Sequence, residues 1–120
     1  MGSLANKRTQ KRLIMEDSFT VHRGDDPCRV VDISESGLGV TYISEENWPE
    51  KITLEYTLDP KKGERKVFRC RTIWESSMDF YKTRSDETVR RRGLIFIDPA
   101  SGEVKELNRH LREMAVKAEN

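Results

Sequence analysis

The 120-residue chain holds two cysteines and two histidines, and those scarcities close off several classes of chemistry. Cys28 and Cys70 stand alone, without the CxxC spacing of a zinc site, and two thiols make no disulfide framework. They read as small core residues of a reduced, cytoplasmic protein. His22 and His110 are far apart and neither has a paired carboxylate motif. No nucleophile constellation, metal-ligand cluster or GxGxxG phosphate loop stands out, so the expectation is a protein that is not an enzyme and has no cofactor or metal. No apolar run approaches the roughly 18 residues of a membrane span, and the first residues lack the apolar core of a signal peptide, so no membrane insertion is expected. Charge of one sign is also missing: 36% of residues are charged but the net is +1, which does not point to a nucleic-acid polymer.

The distribution of charge says more than its total. Lys7, Arg8, Lys11 and Arg12 give residues 1–15 a charge of +4 with no acid, while 18 bases and 21 acids share the rest. A basic arm on a slightly acidic body suggests an anionic ligand.

The body reads as strands. Leu38, Val40 and Tyr42 alternate with Gly39 and Thr41, and Ile52, Leu54, Tyr56 and Leu58 alternate with Thr53, Glu55 and Thr57. Cys28 to Ser34 is short and β-branched. Phe68, Cys70, Thr72 and Trp74 are expected on one face of a further strand, and Leu94 and Phe96 on one face of another. Turn clusters at 24–27 and 59–63 separate these runs. Five or six short strands in one small domain indicate an antiparallel sandwich or barrel. Val104, Leu107, Leu111 and Met114 recur at helical spacing, with Asp98 as the expected cap and Ile95 and Ile97 as the expected packing surface. The Arg90–Arg92 run reads as a solvated face, and Trp74 and Phe80 as core.

The segment VVDISESGLGV, residues 30–40, sets the functional question. Residues two apart on a strand face the same way, so Val31 and Ile33 are expected inward and Asp32 and Ser34 outward. A solvated strand end or an Asx-type turn starter accounts for that pair as well as a ligand does. Gly37 reads either as a turn residue with positive φ or as an opening for close approach to the backbone. Arg8 and Arg12 form an RxxxR pair about twenty residues earlier. Among 13 arginines such a spacing arises by chance, and Arg65/Arg69 is a second instance. The DxSxxG pattern of Asp32, Ser34 and Gly37 is much rarer, and the two together carry the signal.

On these residues the chain resembles a PilZ domain, the bacterial receptor module for the second messenger cyclic di-GMP. Arg71-Thr72-Ile73-Trp74 and Gly93-Leu94-Ile95-Phe96 are weaker echoes. The resemblance implies a six-stranded antiparallel β-barrel over residues 13–98, with a basic arm over 1–12 and a C-terminal helix over 99–118 packed on the barrel. It implies a cyclic di-GMP site between the arm and the strand end, with Lys7, Arg8, Arg12, Asp32, Ser34 and Gly37 as ligand-binding residues. A downstream protein partner is implied as well. The alternative is a docking module of the same fold that binds no nucleotide. Residues 75–92 depart from the family pattern, being longer than the usual return between the two strands they join.

The residue types suit the ligand. A guanidinium fork meets the O6 and N7 acceptors of guanine, and a carboxylate accepts from N1–H and the exocyclic amine. Phosphodiesters take arginine forks or the looser charge of lysine.

Overall fold

The computed structural model describes residues 12–15, 17–44, 48–78 and 88–119. Seven strands and a helix follow one another: β1 (Leu13–Ile14), β2 (Thr20–Arg23), β3 (Asp26–Ile33), β4 (Gly37–Ser44), β5 (Lys51–Tyr56), β6 (Lys66–Met78), β7 (Thr88–Phe96) and α1 (Gly102–Glu119). The sheet runs β3-β2-β5-β6-β7-β4 and closes through β3–β4 pairing, with every pair antiparallel. It is a six-stranded barrel, with β1 paired on the outside to the Asp32–Ile33 end of β3. Gly24 and Gly63, at φ 59° and 65°, turn the chain at the two clusters where the sequence places turns.

Strict alternation fills the interior from β4 (Leu38, Val40, Tyr42) and β5 (Ile52, Leu54, Tyr56), as expected. Two bulges break the phase elsewhere. Between Val30 and Asp32 the register of β3 shifts, so Val30 and Ile33 are fully buried and Val31 is not. Between Thr72 and Trp74 the register of β6 shifts as well, and Trp74, expected inside, stands 38% exposed on the outer face. The long 75–92 segment extends the β6–β7 hairpin as paired strand out to Met78 opposite Val89. Phe80 lies outside the described residues.

Helix α1 begins later than expected. The Ser101 N–H donates to the Asp98 carbonyl in a turn, and the Ser101 hydroxyl then accepts from the Val104 N–H at 3.1 Å. Ser101 rather than Asp98 is therefore the cap. Val104, Leu107, Leu111 and Ala115 join the barrel core itself, packing chiefly against β1, β3 and β6 and not against the outward Ile95 and Ile97. Three polar contacts fasten the helix: Tyr56 OH to the Glu103 carbonyl, the Lys66–Glu106 ion pair, and the Asn108 amide to the Ser34 carbonyl at 2.9 Å.

The arginine run is not a uniform solvated face. Arg92 shares the inward row of Leu94 and Phe96 and is 2% exposed. Its Nε donates to Tyr42 OH at 2.6 Å, its Nη1 to Thr72 Oγ1 at 2.9 Å, and its Nη2 to the Trp48 carbonyl at 3.3 Å. Glu75 supplies the counter-charge at 3.2 Å. Tyr42 and Trp48 stack at 3.9 Å, and the guanidinium lies 5.5 Å from the Trp48 ring centre. A buried cation is tolerable only with such a complete set of acceptors.

Arg92→Met leaves those acceptors unmatched and should lower stability by about 3 kcal/mol, read from the denaturant midpoint. Arg92→Lys should recover little of this, because an ammonium cannot reproduce the fork. A loss below about 1 kcal/mol in Arg92→Met would contradict a structural role.

Burial pushes the Cys28 and Cys70 thiols up to about 12. Below the ordinary thiol value, near 9, both folded and unfolded chains hold the proton and pH has no effect through these groups. Above it the unfolded chain ionises first, so stability falls as pH rises from 9 towards 12. Ellman's reagent at pH 8 should leave both thiols unlabelled in the native protein and label both in guanidinium chloride. Rapid native labelling would mean that the core is open.

Candidate functional site

The bulge in β3 does more than shift the core. It turns Asp32 to the outer face of the barrel, opposite Gly39 of β4, which pairs with Gly93 of β7, which in turn pairs with Trp74 of β6. A Cβ added to Gly39 would lie 2.8 Å from Asp32 Oδ2, and one added to Gly93 would lie 2.0 Å from Trp74 Nε1. The Asp32 carboxylate and the Trp74 indole thus lean over two glycines from opposite ends of one row. The result is one outer-face row, with the carboxylate packed over Gly39 at one end and the indole over Gly93 at the other.

Strand β1 delivers the third component. Ile14 pairs with Asp32, the Met15 N–H donates to the Val31 carbonyl at 2.9 Å, and Met15 is buried. These contacts anchor the chain two and three residues after Arg12. Arg12 Nη1 donates to Asp32 Oδ1 at 2.6 Å, a short, charge-assisted bond. The arginine side chain is 49% exposed and the aspartate 16%, so the carboxylate is sheltered and its partner is accessible. Ile14, 71% exposed, stands beside this pair.

Of the expected binding residues, Arg12 and Asp32 are brought together. Lys7 and Arg8 lie outside the described residues. Ser34 does not share the outer face with Asp32: it is 6% exposed, and its N–H and hydroxyl both donate to the Gly37 carbonyl, at 2.8 and 3.4 Å. The physical reason is that β3 ends at Ile33: Ser34 enters the turn to β4, where the two-residue alternation on which that expectation rested no longer holds. Gly37 does not take positive φ, and its bare Cα admits the neighbouring strand: a Cβ there would lie 1.9 Å from the Leu94 carbonyl oxygen. Ser34 and Gly37 therefore build the turn that holds Asp32.

Gly39, Gly93 and Trp74 are the members the motif reading missed as site residues. A signal was present for the glycines. Each interrupts or borders a run of strand residues, where a glycine weakens the strand unless something approaches the backbone closely. Nothing in the sequence marks Trp74 as outward, because the bulge at 72–74 reverses its face.

No protein-family model matches the sequence, and no curated protein matches it. Solved structures do. The PilZ domain with c-di-GMP of YcgR from Escherichia coli superposes with a TM-score of 0.65 at 14% identity, covering 93% of this chain and 94% of that one. An uncharacterized Legionella protein gives 0.55 at 15% identity, covering 92% and 99%. The Borreliella burgdorferi PlzA protein in complex with c-di-GMP gives 0.54 at 11% identity, covering 99% of this chain and 57% of PlzA. The chain has the PilZ fold, a six-stranded antiparallel barrel with one strand outside it and a single C-terminal helix.

Proposed function

We propose that this protein is a bacterial, cytoplasmic cyclic di-GMP receptor, with no catalytic step of its own. The observation that carries the reading is the Arg12–Asp32 pair at the head of the outer-face row that runs over Gly39 and Gly93 to Trp74. Asp32 accepts from guanine N1–H and the exocyclic amine. Arg12 already occupies Oδ1 of that carboxylate, so binding requires the guanidinium to transfer to the ligand, on a phosphate or on the O6/N7 edge. Transfer exchanges one charge-assisted bond for others and leaves both the carboxylate and the guanidinium hydrogen-bonded. The indole of Trp74 offers a flat apolar surface to a base or ribose.

Arg8 and Lys7 on the arm meet the remaining phosphate charge. Ser34 and Gly37, expected to complete the floor, serve binding through the turn that fixes Asp32. Residues 1–12 carry four positive charges, no acid, and only Met1, Leu4 and Ala5 as apolar side chains. A doubly anionic nucleotide supplies the missing counter-charge, and the closed arm gives a downstream protein a face that the empty receptor lacks.

Calorimetry with cyclic di-GMP, GMP and cyclic di-AMP tests the reading. Arg12→Ala should weaken cyclic di-GMP binding roughly ten- to a hundredfold, the worth of one charge-assisted bond. Arg65→Ala should change nothing, since Arg65 is an exposed partner of Glu55 in the second RxxxR. Cyclic di-AMP should bind weakly, because adenine sets an acceptor against Asp32, and Asp32→Ala should erase the preference. Equal losses at Arg12 and Arg65, or equal affinity for the two cyclic nucleotides, would sink it.

Amides of residues 6–11 should gain hydrogen-exchange protection only when cyclic di-GMP is added. Strong protection in the free protein would place the switch elsewhere.

A further inference from the structure

Beside the Asp32–Gly39–Gly93–Trp74 row lies a second row on the same outer face. Arg29 of β3 pairs with Thr41 of β4, and Thr41 pairs with Arg91 of β7. All three face outward, since Cys28, Val30, Val40, Tyr42 and Arg92 on either side of them are buried. The two arginine Cα atoms are therefore about 10 Å apart, two strand spacings, and the row is about 7 Å along the strands from Asp32. Arginine side chains on such a frame can converge above Thr41.

The two cations are not equivalent to ordinary surface charges. Arg91 Nε is shielded from solvent and has no hydrogen-bond partner among the described residues. A desolvated donor without an acceptor is costly, and a folded protein rarely keeps one without a use. Arg29 is exposed, and among the described residues it makes no ion pair. The Thr41 hydroxyl already donates to the Arg90 carbonyl at 3.1 Å, so the donors facing outward are the guanidinium groups. Among the described residues no carboxylate shares the row, whose next member on β6 is Ser76; the neighbouring acids Asp32 and Glu75 are paired with Arg12 and with Arg90 and Arg92. A groove of about 390 Å³, lined by Pro27, Arg29, Thr41, Ile43 and Val89, gives room on the far side.

We infer that Arg29 and Arg91 form a phosphate-binding site that takes a phosphodiester of the nucleotide lying along the neighbouring row, a deepening that rests on the receptor reading. Arg12 stands on the β1 side of that row, and Arg29 and Arg91 meet the ligand from its flank. Arg91 Nε gains in the complex the acceptor it lacks in the free protein. The ligand chemistry required here is a phosphate oxygen, and no base is read at this row.

Two measurements on the full chain test the site. In calorimetry, Arg29→Gln and Arg91→Gln should each weaken cyclic di-GMP binding about tenfold and flatten its salt dependence, while preference over cyclic di-AMP is kept. Loss of a merely structural arginine would lower the melting temperature; here Arg91→Gln should leave it unchanged or raise it, because no bond is removed. The second measurement uses no nucleotide: titration with inorganic pyrophosphate should shift the Arg91 Nε–Hε resonance in the wild type and fail to do so in Arg29→Gln. If wild-type affinity for cyclic di-GMP survives in the double variant, the site is refuted while the receptor reading stands. If pyrophosphate shifts Arg91 but cyclic di-GMP does not bind, the phosphate site stands and the receptor reading falls. No response to either ligand removes both.

Discussion

A sheet of six strands has two unpaired edges, and closing it through β3–β4 removes both. One edge of β3 is shared in sequence by β2, which pairs with residues 26–29, and by β1, which pairs with residues 32–33. Its other edge takes β4. Serving two neighbours on one side and a third on the other requires the strand to bend, and the bulge between Val30 and Asp32 provides the bend. The rest of the site follows from that irregularity. Ile33 is returned to the core, Asp32 is set outward over Gly39, and the chain leading into β1 is brought in alongside it with Arg12 at its head.

Much of this architecture was legible. The alternation of β4 and β5 and the helical stripe over 104–111 describe the observed core directly. The errors have two causes. Val31 and Trp74 were assigned by counting twos through a position where the backbone inserts an extra residue, and Ser34 by counting past the end of β3 into the turn. A bulge alters phase without altering composition, so local pattern does not reveal it. Arg92 differs: counting back by two from Phe96 and Leu94 reaches it without crossing a bulge. Three adjacent arginines read as a solvated run only if the strand is taken to end before them.

The candidate site divides in the same way. Asp32 and Arg12 could be named because rare spacing singled them out. Ser34 and Gly37 belong to the same pattern but act within the turn, which residue types alone do not distinguish from contact with a ligand. Gly39 and Gly93 come together only through the register of two strands separated by some fifty residues of chain, information held in the pairing of β4 with β7.

The two glycines also bear on how such a protein changes over generations. A single base substitution converts a glycine codon to alanine, and at position 39 the added methyl meets only the movable end of the Asp32 side chain. The methyl displaces the Asp32 carboxylate rather than backbone. On the receptor reading proposed above, genetic drift at one codon therefore separates nucleotide binding from the scaffold, and a receptor and a docking module of this fold lie one substitution apart in either direction.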